Sequence, residues 1–225
     1  MPVTFPGPAG ALEGLWTDPV AGLPPAVICH PHPAHGGTMH SKVVHTVHRV
    51  LCGAGHPTLR FNFRGAGLSE GHYSGGDGEV EDVAAAAAYA RERAGGRPLW
   101  GAGFSFGAWA GLRWALRDRG LERFIALGLP VEAFALDFLV EAPAPLLIVQ
   151  GDHDRYGSVA GVEALARRLR ASCPVEVRVV ASADHFFTGR LAALADALRD
   201  GLGLSAPGGA RRREPEAGTA RGEVS

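Results

Sequence analysis

The sequence has few cysteines and no pattern among them. Cys29, Cys52 and Cys173 are the only three in 225 residues. Without C-x-x-C spacing they imply neither a disulfide framework nor a zinc knuckle, and reduced thiols are expected. No run approaches the ~18 consecutive apolar residues that suggest a membrane span. The opening MPVTFPGPAGALEG lacks the basic segment and apolar run of a secretory signal. An excess of one charge is also missing. Lys and Arg total 22 against 23 Asp and Glu, for a net charge of −1, so no global field draws in nucleic acid or an anionic membrane. There are no internal repeats. These absences predict a soluble, cytoplasmic protein, monomeric or homodimeric, with neither nucleic acid nor membrane as a partner.

What is present is alternation. Apolar runs at Ala26–Cys29, Thr58–Phe63, Leu99–Gly103, Phe124–Leu129, Leu146–Gln150 and Val175–Val180 read as buried strands. Between them, Val80, Val83, Ala84, Ala87 and Ala88 share one helical face. So do Trp109, Leu112 and Leu116, and so do Val162, Leu165, Ala166 and Leu169. Strands alternating with helices predict βαβ crossovers and a mostly parallel sheet, an α/β class. Leu12–Thr17 reads as an antiparallel edge strand. The segment Pro130–Pro145 is too short for a cap domain. One domain is expected over residues 1–205. Residues 206–225 contain no aromatic residue and only Val224 as a large apolar one. They bury too little to offset ordering entropy and are expected to be a disordered tail, with Arg211–Arg213 a solvated charge run.

Gly103-Phe104-Ser105-Phe106-Gly107 is a G-x-S-x-G motif between an apolar strand and an amphipathic helix, Phe106–Arg117. That context is what a nucleophile elbow requires, and it makes Ser105 the candidate nucleophile. A serine hydroxyl needs a base, and in this arrangement an acid and a histidine follow at the ends of later strands. Gly151-Asp152-His153-Asp154 follows one strand, and Ala183-Asp184-His185-Phe186-Phe187 follows the next. His185 is the candidate base. Asp154, further into its loop, is preferred over Asp152 as the acid, while Asp152 is expected to brace the turn. Asp184 reads as a loop residue and His153 as a surface histidine. An oxyanion hole is expected from the backbone N–H groups of Phe106 and His32, since Pro31 and Pro33 have none to donate. Met39, Tyr156, Phe186 and Phe187 are candidate pocket residues. His30, His32, His35, His40, His45 and His48 crowd nineteen residues. They lack H-E-x-x-H or a nearby carboxylate pair, so no metal site is expected, and His30 is read as a loop anchor.

The segments HPHPAHGGTMHSKVV, FNFRGAGLSEG, GFSFG, GDHD and DHFF occur in this order. Together they resemble the small, lidless bacterial α/β-hydrolases related to dienelactone hydrolase, over residues 12 to 203. The resemblance implies the α/β-hydrolase fold: a mostly parallel central sheet, helices on both faces and no cap domain. It implies a Ser105–Asp154–His185 triad with donors at His32 and Phe106, and no metal or organic cofactor. Dienelactone hydrolase itself carries cysteine where this chain has Ser105. The loop Arg64-Gly65-x-Gly67-x-Ser69-x-Gly71 is expected to be structural. The activity expected is hydrolysis of a small acyl substrate, an ester, through an acyl-enzyme, with short acyl groups favoured. A thioesterase, a peptidase, an acyltransferase or a non-catalytic binding protein on the same scaffold remain alternatives.

Overall fold

The computed structural model describes residues 1–19, 22–118 and 120–204. The expected tail lies outside the described residues. Within the described residues, eight strands form one sheet: β1 (Pro2–Gly7), β2 (Gly10–Thr17), β3 (Ala26–Cys29), β4 (Thr58–Phe61), β5 (Leu99–Phe104), β6 (Leu121–Leu127), β7 (Leu146–Gly151) and β8 (Val175–Val180). Their spatial order is β1-β2-β4-β3-β5-β6-β7-β8. β1 and β2 pair antiparallel, and so do β2 and β4; every other pair is parallel.

Sequence pattern explains the placement. All four residues of β3 and all six of β7 are buried, as strands covered on both faces must be. In β2 the burial alternates, with Leu12, Gly14 and Trp16 turned inward. The expected edge strand is therefore real but is not the edge. β1 lies outside it, and its Phe5 ring stacks on Tyr89 at 4.7 Å between centroids. Pro2 and Pro6 hide this strand from a pattern search, since proline cannot serve a central ladder and is tolerated at an edge.

Among the described residues, five helices cover the sheet: α1 (Lys42–Gly53), α2 (Asp77–Arg93), α3 (Phe106–Ala115), α4 (Val159–Leu169) and α5 (Leu191–Leu202). α1 and α5 share one core, where Val44, Val47, Leu51, Leu194 and Leu198 meet Ile28, Ala102 and Leu127. α2, α3 and α4 share the core on the other face, where Val80, Ala108, Leu112 and Val162 meet Val27, Phe61 and Ile148. The strand expected to reach Phe63 ends at Phe61, and that expected over Phe124–Leu129 runs over Leu121–Leu127. The segment 130–145 crosses from β6 to β7 without a helix and so supplies no helical cap over the sheet's carboxyl edge. The loops after β3, β5, β7 and β8 all emerge at that edge, where open α/β sheets bind ligands.

Candidate active site

Ser105 follows the last residue of β5 and caps α3 with φ 55° and ψ −121°, a left-handed backbone that an ordinary serine avoids. Crowding around the turn enforces it. A Cβ on Gly103 would lie 2.3 Å from the carbonyl oxygen of Gly107, and one on Gly107 would lie 2.5 Å from the carbonyl oxygens of Cys29 and His30. Only glycines let β5, α3 and the end of β3 approach so closely, and the approach lifts the serine hydroxyl clear of the sheet.

His185 comes from the loop after β8. Its Nε2 lies 2.9 Å from Ser105 Oγ, and its Nδ1 lies 2.8 Å from Asp154 Oδ2. A carboxylate only accepts, so Nδ1–H donates to Asp154 and the Nε2 lone pair faces the serine hydroxyl. The imidazole is held between rings, with centroids at 5.1 Å from Phe104, 4.7 Å from Tyr156 and 5.2 Å from Phe186. Its loop is pinned from beneath by Phe187, which is buried with φ 52°. Asp184 accepts from the backbone N–H groups of Phe186 and Thr188, which shapes the same turn.

Asp154 and Asp152 occupy different environments. The Asp154 side chain is fully buried. The Gln150 amide donates to its Oδ2 at 2.8 Å, and Tyr156 N–H donates to its Oδ1 at 2.8 Å. Asp152 is exposed and accepts from Ala183 N–H at 3.1 Å. A backbone hydrogen bond at Ser182, joined by the one at Ala183, holds its carboxyl below the usual range. Asp152 thus ties the β7 loop to the β8 loop, and Asp154 meets the histidine. Gln150 escaped the sequence reading. It ends the apolar run of β7, and its Oε1 accepts from Leu129 N–H while its amide also reaches Gly157 O at 2.7 Å. A polar residue closing an otherwise apolar strand, four before the acid, is the signal it left.

The loop after β3 faces Ser105. His32 opens a short 3-10 turn at Pro33–His35, and its carbonyl accepts from the N–H groups of His35 and Gly37. The N–H groups of His32 and Phe106 have no protein acceptor among the described residues. His30 anchors this loop. Its Nδ1–H donates to Pro31 O at 2.6 Å, and its Nε2 accepts from Phe63 N–H at 3.0 Å. Burial pushes its pKa down to about 4, so the ring is neutral and its tautomer set. Around Gly65, Arg64 holds the buried Asp82 at 2.7 Å and Ser69 Oγ donates to Asn62 O, a structural arrangement. His45 and His48 lie on α1 rather than in the loop, and no group of three or more metal-ligating side chains forms among the described residues.

A cleft of about 640 Å³ opens over Ser105 and His185. Tyr156 and Phe186 line it, as do His32, His35, Phe104 and Phe134. Two of the expected pocket residues do not. Met39 is 1% exposed, with its N–H bonded to Asn62 Oδ1, and Phe187 is 0% exposed within the α1–α5 core. Adjacent residues in a turn point apart, so Phe186 reaches the cleft because Phe187 fills the core.

A family described as serine aminopeptidase, S33 matches residues 32–133. A solved α/β serine hydrolase homologue from Coxiella burnetii is 39% identical, with a TM-score of 0.82, over 89% of this chain and 96% of that one. A serine hydrolase without a lid from Xanthomonas campestris is 33% identical, with a TM-score of 0.82, over 92% and 95%. The chain belongs to the lidless α/β-hydrolases. An uncharacterized protein of Rickettsia prowazekii is 34% identical over 210 residues, 89% of this chain and 87% of that protein. In this hydrolase no helix among the described residues is long and apolar enough to cross a membrane.

Proposed function

We propose that this hydrolase cleaves small carboxylic esters by acyl transfer through Ser105 to water. The observation that carries the reading is the continuous row from Asp154 through His185 to Ser105, with both links under 3 Å. His185 Nε2 takes the hydroxyl proton as Ser105 attacks the carbonyl. The N–H groups of His32 and Phe106 receive the charge that develops on oxygen. The imidazolium, stabilised by Asp154, returns the proton to the leaving group, and water repeats the cycle on the acyl-enzyme. Nothing in these steps calls for a metal or an organic cofactor.

The matching family's description raises an aminopeptidase reading. Capture of a peptide's terminal ammonium asks for a carboxylate near the nucleophile, and no Asp or Glu among the described residues lines the cleft. The lining favours an uncharged or anionic acyl substrate. Phe134, Tyr156 and Phe186 set a shallow apolar wall, suited to short acyl groups. The test compares p-nitrophenyl butyrate, p-nitrophenyl palmitate and an aminoacyl p-nitroanilide. Butyrate is expected to turn over fastest, with the anilide inert. Preferential cleavage of the anilide would overturn the ester reading.

A further inference from the structure

The chain contains 21 arginines but a single lysine, Lys42. That lysine lines the cleft above Ser105 and, with His40, also lines a second groove of about 700 Å³ between α1 and α5. The two spaces therefore share a wall. The charged side chains along the groove are Lys42, Arg49, Arg199 and Asp196. Asp196 pairs with Arg199 at 2.8 Å, whereas Lys42 and Arg49 make no ion pair among the described residues. Arg60 lies behind α1. It is 8% exposed, its Nε has no partner, and a single 3.3 Å bond to Met39 O holds its head group. Lys42 thus lines both spaces and Arg49 the groove alone, two cations without an ion pair beside a cleft lined by no Asp or Glu among the described residues.

A concave, uncompensated cationic surface next to a nucleophile focuses anionic substrates. A phosphoryl group carries nearly two negative charges at neutral pH, which suits two unpaired cations better than one carboxylate does. We propose that the α1–α5 groove is a subsite for a phosphate-bearing part of the substrate whose acyl group sits at Ser105, with Lys42 at the junction setting specificity. This rests on the hydrolase reading and narrows its substrate class to acyl esters or thioesters of phosphorylated carriers.

S-butyrylpantetheine and S-butyryl-4′-phosphopantetheine differ only in the phosphate, and a 4′-hemisuccinate replaces that phosphate with a carboxylate. At low salt the phosphorylated thioester is expected to show a kcat/KM about tenfold above the plain one, on the scale of two partly exposed charge contacts. The ratio should shrink as salt is added and fall toward one in K42Q/R49Q. A hemisuccinate gain equal to the phosphate gain would mean that the groove reads any anion and would overturn the phosphate assignment. A ratio of one in the wild type at low salt would overturn the subsite. A second measurement does not depend on turnover. Inorganic pyrophosphate should protect Lys42 from an amine acetylating reagent, read by mass spectrometry, with the Met1 amine as internal control. If plain esters are cleaved without either effect, the subsite fails and the hydrolase stands. If no ester is cleaved, protection decides: protected Lys42 retains the anion site without the hydrolase, and unprotected Lys42 removes both.

Discussion

At the residue scale, the proposed chemistry depends on how few freedoms Ser105, His185 and Asp154 retain. A serine in a left-handed turn, an imidazole packed among three rings and a carboxylate bonded on both oxygens have little left to lose in reaching a reactive geometry. The two aspartates on the β7 loop separate the roles. Asp154→Asn is expected to lower kcat by about 10⁴-fold on p-nitrophenyl butyrate, because the amide leaves the histidine in the wrong tautomer. Asp152→Asn, which weakens a surface tie, should lower it by less than about tenfold. The reverse ranking would exchange the assignments. Gln150 is expected to act through Asp154, to which its amide donates. Gln150→Leu removes a donor from the carboxylate and should lower kcat more than it raises KM, shifting the acidic limb of the pH profile. A purely structural Gln150 would lower thermal stability and leave that limb in place. The motif and the Ser–Asp–His order were readable from spacing, because they reflect the strand–turn–helix geometry directly. Gln150 and Phe134 were not, since their parts depend on which loops meet across the sheet edge.

At the element scale, the loops that carry the site are held from below. Phe187 anchors the His185 loop within the α1–α5 core, and Arg64 with Asp82 fastens the loop after β4 to α2. Removing one partner of a buried pair leaves an uncompensated charge. Asp82→Ala is expected to destabilise the fold by about 3 to 5 kcal/mol, measurable by urea denaturation. A change below about 1 kcal/mol would mean that Arg64 finds water or another partner. The parallel strands were legible because both faces are apolar. β1 is masked by its prolines, and the apolar stripe of α1 by the histidines at 45 and 48 interleaved with it. Its valines at 43, 44, 47 and 50 are the core-facing residues. Met39 and Phe187 show the limit of composition: an apolar residue beside a site residue belongs equally well to the cleft or the core until the turn is known.

At the scale of the whole molecule, buried and half-buried histidines set the response to acid. Burial pushes His30 and His48 down to about 4, and it also lowers His56. Their unfolded value is near 6.5, so between pH 6.5 and 4 the unfolded chain binds more protons than the folded one. The contribution to stability is complete above 6.5 and declines as pH falls toward 4. Tm should be level from pH 8 to 7 and fall steadily below 6.5. A level Tm down to pH 4.5 would show that these rings are not neutral in the folded state.

The proposed chemistry turns on the hydroxyl at Ser105 being activated by His185. A fluorophosphonate probe reacts only with such a serine, and intact-mass analysis of the adduct reads it directly. The wild-type chain should gain one probe mass, mapped to Ser105. Ser105→Ala should gain none, and His185→Ala should react at least about 10³-fold more slowly. Labelling that survives Ser105→Ala, or is unchanged without His185, would contradict it.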